Sequence, residues 1–523
     1  MSAGAAGAQG LARNALLARL EEPRTWDVLV IGGGATGLGC AVDAAARGYS
    51  TLLLEAHDFA KGTSSRATKL IHGGVRYLAQ GNLPLVREAL AERALLLANA
   101  PHLVHAQRFV VPAYRIWDQP VLGAGLAAYD LLAGAHGIGR ARVLDAARTL
   151  AALPNVRPRG LRGGVAYWDA RFDDARLAVS LMRTLFDLGG LALNHMPVKG
   201  LVMQAGKVAG VQAQDGERGT AYRVAARVVI NATGVWADEA RHWERPFAPV
   251  LLRPSQGVHL VVGRDYLPGE DALLVPRTED GRVLFAIPWQ GRVLLGTTDT
   301  ARPDAPLEPR PLEGEVDFIL RTAARYLARA PTRAEVSSVF VGLRPLVGAG
   351  NASPTRGLSR EHLIEVSPGG LVSIVGGKWT TYRRMGADAV DSARSVARLP
   401  ARASDTAALR LHGAAQGEDP YGSDREQVEA LPGAGRAIWA GLTLSEAEVR
   451  YAARWELART VEDVLARRHR ALFIDAALAA AAAPRVAAIL AEELGRDAGW
   501  AQGQVAAFRA LAAGYLPGSP RGS

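Results

Sequence analysis

The chain has 523 residues, 49% hydrophobic and 21% charged, a balance that fits a soluble globular protein of two or three domains with a well-buried core. Its formal charge is +10 but unevenly spread: residues 401–523 hold 14 Lys or Arg against 15 Asp or Glu, leaving 47 against 36 in the rest. A basic body of this kind suits an anionic ligand, an anionic lipid surface or nucleic acid; without zinc-type Cys/His clusters, RNA-binding signatures or aromatic-basic repeats, nucleic acid is disfavoured. The single cysteine, Cys40, excludes intramolecular disulfides and favours a reducing compartment.

In chain order, Met1 to Gln9 is small and uncharged and shows no secretory signal. Leu11 to Leu20, with Arg13 and Arg19 among its leucines, reads as a short amphipathic helix, with organelle targeting or membrane contact as the alternative. The run Val28-Leu29-Val30-Ile31-Gly32-Gly33-Gly34-Ala35-Thr36-Gly37 follows. It predicts a buried strand, a tight turn at Gly32, close backbone approach to a pyrophosphate at Gly34, and close helix packing at Gly37. The pyrophosphate then sits on the next helix's N-terminus. Thr51-Leu52-Leu53-Leu54 is a second strand, and Glu55 at its end is placed to accept hydrogen bonds from adenosine ribose hydroxyls, which favours FAD or NAD over NADP.

A loop rich in glycine and serine then leads to a helix from Leu83 to Ala98. Within it, Thr63 to Tyr77 offers hydroxyls and the pair Gly73-Gly74 to a phosphate or flavin ring, with Arg76 and Tyr77 able to project toward a substrate. Residues Ala100 to Gly164 mix proline, glycine and short apolar pieces and read as an inserted, loop-rich segment. Arg227 to Gly234 is another strand stopping at a glycine. Between Leu251 and Thr298, the pieces Gly257 to Val262, Arg282 to Pro288 and Arg292 to Thr297 predict a separate antiparallel sheet. Leu371 to Val375, then Gly376-Gly377-Lys378-Trp379-Thr380 and a helix through Arg394, return to the first domain. Pro400 and Gly413 to Gly422 mark a linker, after which Ser445 with Glu448 and Thr460 with Asp463 have capping-box spacing and predict a helical tail. No apolar run attains the roughly 20 residues of a membrane-spanning helix. Val121 to Gly139 is interrupted by Asp130 and His136, and the alanines from Ala476 to Ala483 are followed by Pro484 and Arg485.

Seven ordered motifs, carried across nearly the whole chain from about Asp27 onward, resemble the FAD-dependent glycerol-3-phosphate dehydrogenases, the bacterial form most closely. They are Lys69 to Tyr77 (KLIHGGVRY) after a Ser-Ser pair, Asp173 to Leu177, Asn231 to Gly234, Ile287-Pro288-Trp289, Gly296 to Asp299, Gly342 to Leu346, and Gly376 to Tyr382. Glycine and amino-acid oxidases share the first glycine motif and the general plan, but neither KLIHGG nor GGK-x-TTY. Trp379 departs from relatives that carry leucine there.

The resemblance implies an α/β fold: a Rossmann-like FAD-binding domain, discontinuous over 22–100, 165–245 and 340–398; an antiparallel β-sheet substrate domain over 101–164 and 246–339; and a C-terminal helical domain over 399–523. It implies oxidation of sn-glycerol 3-phosphate to dihydroxyacetone phosphate, with FAD N5 accepting the hydride, no metal needed, and electrons passing to a membrane quinone. Oxygen as acceptor is the near alternative, and a flavin-containing regulatory or RNA-associated module without turnover the distant one. His259 is the implied proton-abstracting base, with Arg344 the rival group assisting the alkoxide. Arg76, Tyr77, Arg360 and Lys378, with Arg344, are the substrate-side candidates, since guanidinium forks bind phosphate bidentately. Gly32, Gly34, Gly37, Glu55, Ser64, Ser65, Lys69, Leu70, Ala232, Gly234, Gly377 and Thr380 are the cofactor-binding set. The helix starting at Thr380 is expected to stabilise negative charge on the reduced flavin. Basic charge without a spanning helix predicts peripheral attachment to an anionic membrane on its cytoplasmic side, and a homodimer is an admitted assembly.

Overall fold

The structure is a computed structural model and describes residues 10–78, 81–279, 281–348 and 362–518. Its first sheet is centred on strand Thr25–Ile31, wholly buried from Val28 onward, as a strand covered on both faces must be. Thr51–Leu54 pairs parallel to it on one side and Ala221–Asn231 on the other. Leu191–Leu193 and Val372–Gly376 extend the parallel set outward, and His362–Val366 closes one edge antiparallel. All the strands predicted for this layer are present. Helix Ala35–Ala46 crosses helix Tyr382–Ala397 at backbone contact, because a Cβ on Gly39 would stand 2.7 Å from the Tyr382 carbonyl oxygen.

Among the described residues the second sheet has ten strands. The predicted antiparallel set is there as Leu252–Gly263, Leu284–Trp289 and Arg292–Gly296, joined by Val336–Val347 along nearly the full length of Leu252–Gly263. The segment from Ala100 to Gly164 is far more regular than its composition suggested. Strand Val104–Ala113 pairs residue for residue with Gly163–Phe172, and between them lies a helix of 16 residues, Asp118–Ala133. Alternating burial was hidden there because Phe109, Val110 and Val111 are buried consecutively, one sheet face resting on helix Asp118–Ala133 and the other on Glu313–Tyr326. By hydrogen bonding, 165–172 and 340–347 pair into this second sheet, although both fall within the ranges expected for the discontinuous FAD-binding domain. Their partners, Val104–Ala113 and Leu252–Gly263, draw them there.

The tail is helical. Glu446–Trp455 starts at the expected capping box of Ser445 and Glu448, and Thr460 and Asp463 exchange the two bonds of a second box. Helices Ala476–Leu494, which runs through Pro484, and Ala498–Ala513 pack into one apolar core with Phe109, Val261 and Phe340 of the second sheet. The N-terminal helix, Arg13–Glu21, buries Leu16, Leu17 and Leu20 against the first sheet, and Arg13 pairs with the buried Asp215 at 2.9 Å. Its apolar side is thus already covered by protein, which removes membrane contact as a reading of it. Among the described residues no helix is long and apolar enough to cross a membrane.

Candidate active site

A cavity of about 580 Å³ opens where the two sheets meet. On the first-sheet side its wall is the glycine turn. Gly32 holds φ at +107°, and a Cβ there would stand 2.6 Å from the Ala232 carbonyl oxygen, so only glycine fits. Gly34 faces the cavity with Ser64 Oγ 3.0 Å from where its Cβ would be. Ser64 Oγ accepts the Ala35 N–H at 2.9 Å, leaving a backbone cradle at a helix N-terminus. Glu55 sits beside it, one carboxylate oxygen accepting the Gly33 N–H at 2.6 Å and the other the His57 N–H at 2.8 Å. Burial raises its pKa above the ordinary carboxylate value, a cost that hydroxyl donors from a ligand would lower.

The middle of the cavity is lined by Ala232 and Gly234, at the end of strand Ala221–Asn231, and by Gly377, Lys378 and Thr380 after Val372–Gly376. The helix does not open at Thr380. A single 3₁₀ turn, Trp379–Thr381, comes first, and the α-helix proper begins at Tyr382. Trp379 has a role of its own: its indole N–H donates to the Ser64 carbonyl at 2.8 Å, tying the second glycine turn to the serine loop.

The second sheet supplies the opposite wall. His259 and Arg344 come from the neighbouring strands Leu252–Gly263 and Val336–Val347 and both line the cavity. The His259 ring stacks on Phe340 at 4.9 Å, its Nε2 is 3.0 Å from Thr68 Oγ1, and its buried Nδ1 has no partner among the described residues. Burial first, then the charges of Lys69 and Arg344, hold its pKa well below the usual histidine value, so the ring is neutral at physiological pH. Arg344 lies along the sheet over Gly257, donating to the Thr298 carbonyl at 3.0 Å and standing 3.4 Å from the Asp299 carboxylate.

Other expectations fall elsewhere. Lys69 does not line the cavity: its ammonium is buried 2.6 Å from Asp174 and 2.9 Å from the Ser65 carbonyl, and burial lowers its pKa to about 8. Ser65 likewise faces inward, its carbonyl also taking Arg470 at 2.5 Å. Both residues brace the loop from beneath, Lys69 through its pairing with Asp174 and Ser65 through the carbonyl that takes Lys69 and Arg470. Gly37 is set behind the turn, where a Cβ would collide with the Gly32 carbonyl. Arg76 and Tyr77 lie on helix Val75–Leu78 with side chains outside the described residues, and Arg360 lies outside them altogether. The sequence reading missed Thr68 and His72, both on the cavity wall inside the motif it quoted, and Lys61, Arg66 and Trp236 beside them. A polar residue in a motif that already had named neighbours was the available signal for the first two.

A glycine turn with no room for a Cβ at Gly32, a half-buried acid beside it and a second glycine turn across the cavity fit a dinucleotide with a flavin ring. The architecture and site are those of an FAD-dependent oxidoreductase. The family model for FAD dependent oxidoreductase matches residues 27–383, and that for the C-terminal domain of alpha-glycerophosphate oxidase matches 373–500. Glycerol-3-phosphate dehydrogenase 2 of Mycobacterium bovis is 39% identical over 497 residues, covering 89% of this chain and 84% of the relative. The human mitochondrial glycerol-3-phosphate dehydrogenase is 37% identical over 533 residues, 93% of this chain and 73% of its own length. The glycerol-3-phosphate dehydrogenase of Bacillus halodurans, solved with FAD, superposes with a TM-score of 0.77 at 30% identity over 98% of this chain and 99% of that one. An L-alpha-glycerophosphate oxidase from Mycoplasma pneumoniae, at 18% identity and a TM-score of 0.57, shares the fold. The chain belongs to the FAD-dependent glycerol-3-phosphate dehydrogenase family, and its cofactor is FAD.

Proposed function

We propose that this protein oxidises sn-glycerol 3-phosphate to dihydroxyacetone phosphate and delivers the electrons to a membrane quinone. The observation that carries the reading is the convergence of Arg344, Lys378 and His259 on the cavity that also holds the glycine cradle. FAD, when bound, supplies the acceptor for the hydride on the alcohol carbon. Arg344 and Lys378 are the cations that hold the phosphate or the developing alkoxide, with Arg76, Tyr77 and Arg360 as further substrate contacts. His259 takes the hydroxyl proton. Burial, and then the charges of Lys69 and Arg344, hold its pKa below the usual histidine value, which keeps the lone pair available to accept a proton. His72, on the same wall, is the second imidazole a base assignment must test.

Membrane delivery is supported by exposed apolar residues on and around helix Asp118–Ala133. Ile116, Trp117, Val121, Leu131 and Val143 are each more than half exposed, and Arg115, Arg140 and Arg142 stand exposed beside them. Apolar side chains at the acyl boundary with arginines at the headgroups are what a peripheral protein presents to anionic lipid.

Anaerobic addition of glycerol 3-phosphate to the purified protein bleaches its flavin absorbance, and unphosphorylated glycerol at the same concentration does not. No bleaching by glycerol 3-phosphate sinks the reading. Reoxidation by a soluble quinone faster than by oxygen supports the dehydrogenase; the reverse order makes the protein an oxidase.

A further inference from the structure

The stretch from Glu55 to Gly62 has neither helix nor strand, yet His57, Ala60, Lys61 and Gly62 form cavity wall beside the ribose acid. Beside the backbone bonds from His195 to the His57 carbonyl and from Ala60 to the Gly33 carbonyl, much of what holds it comes from the C-terminal domain. Asp58 is fully buried, and its carboxylate accepts Arg467 Nε at 2.5 Å and Arg468 at 2.6 and 2.8 Å, with Asn194 at 2.9 Å. Arg467 also bonds Asp463 and Glu462, each at 2.7 Å. Asp463 in turn takes His195 Nε2 at 2.9 Å, and the His195 backbone N–H donates to the His57 carbonyl at 2.5 Å. Lys61 on the cavity wall is paired with Glu462 as well. Asp58, His195 and Asp463 lie within 4.8 Å of one another, close enough for a metal ion, but guanidinium donors already fill the Asp58 oxygens.

Both arginines sit at the end of a π-helical turn, Asp463–Arg468, closed by the His469 N–H on the Val464 carbonyl at 2.7 Å. Such turns recur where a helix must re-aim side chains. Here consecutive guanidinium groups reach one carboxylate three residues beyond Glu55. Removing Asp58 leaves the buried Arg468 guanidinium with the Glu456 carbonyl but no hydrogen-bonded carboxylate, a costly state that ties the loop to this turn.

We infer that the C-terminal domain positions the ribose-side loop of the FAD site through Asp58, so that FAD retention and docking of the C-terminal domain are thermodynamically coupled. The inference rests on the reading that Glu55 meets the adenosine ribose. Coupling is reciprocal: whatever docking adds to FAD affinity, FAD returns to docking. No residue of 457–470 lines the cavity, so protection of that segment by FAD has no route through direct contact.

The test uses the full chain with and without FAD. Amide exchange in 457–470 slows when FAD is bound, and the FAD dissociation constant of Asp58→Asn and of Arg467→Lys rises about tenfold. Arg467→Lys keeps the charge and loses only the fork, so it stands in if Asp58→Asn does not fold. Exchange in 457–470 indifferent to FAD, or parent affinity in the folded variants, overturns the coupling. Glu55→Ala run alongside separates the two readings: weakened FAD in E55A with parent affinity in D58N and R467K overturns the coupling alone, whereas parent affinity in E55A overturns the ribose reading.

Discussion

The two walls of the cavity are built by opposite means. The first-sheet wall is mostly backbone: Gly32 and Gly34 at one turn, Gly376 and Gly377 at the other, with N–H groups and helix ends as the polar surface. The second-sheet wall is side chain, with His259 and Arg344 standing on adjacent strands and tuned by Thr68, Phe340, Asp299 and the buried Lys69. A backbone wall tolerates no added atom but needs no particular neighbour. A side-chain wall tolerates small changes of shape but depends on each charge nearby. Cofactor binding is assigned chiefly to the first and substrate chemistry to the second, with Lys378 reaching across from the first, and substitutions on each should fail differently.

The sharpest break is on the backbone wall. In Gly37→Val the new side chain meets the Gly32 carbonyl, which cannot retreat because Gly32 is itself packed on Ala232. The flavin-to-protein absorbance ratio should fall by more than about tenfold while the far-ultraviolet dichroism stays near the parent's. Full flavin content in the variant would show that the turn is looser than its geometry requires.

On the side-chain wall, Arg344→Lys should leave flavin content at the parent level and slow flavin reduction by glycerol 3-phosphate on the order of a hundredfold, with a higher KM, because lysine keeps charge but loses the planar fork. Unchanged reduction kinetics in folded, flavin-loaded protein would take Arg344 out of the site. If flavin were lost as well, the division of labour between the walls would be wrong.

The same contrast explains what could be read from the sequence. Strand, glycine turn, helix, strand and acid must follow one another closely, so Val28 to Glu55 announced the first wall, and Ser445 with Glu448 announced a helix start. Arg467 and Arg468 gave no such signal. In sequence they are two basic residues near a helix end, ordinarily a solvated face, and only the tertiary approach of Asp58, some 400 positions away, makes them buried. Lys69 was misread for the complementary reason: its motif marks the loop as special without saying whether the side chain faces the ligand or braces the loop from below. Between Ala100 and Gly164, a strand buried on both faces and a helix with an exposed apolar face both lack the alternation that periodicity detects.

One acid joins the two walls, and it gives the smallest and most specific prediction. Glu308 follows the cavity-lining Leu307 on the segment between the second sheet and helix Glu313–Tyr326, and accepts Lys61 at 2.6 Å, Arg66 at 2.8 Å and the Tyr515 hydroxyl at 3.0 Å. Burial works to raise its pKa, and the charges of Arg66 and Lys61 overcome it, leaving the carboxyl at about 2 against an ordinary 4.5. A depressed folded-state pKa contributes stability that is present above the unfolded value and lost as pH falls through the folded one. The contribution of Glu308 is therefore intact above pH 4.5 and disappears between there and pH 2. Its side chain is 23% exposed, so solvent screening keeps the effect on the order of 1–2 kcal/mol. In Glu308→Gln, Lys61 retains Glu462 while Arg66 loses its carboxylate, and the variant should be less stable than the parent at pH 7 by that amount. The gap should close as both are acidified toward pH 2. Urea unfolding midpoints at several pH values measure it: a difference that stays constant down the acid range would mean that Glu308 braces the walls by shape and not by charge.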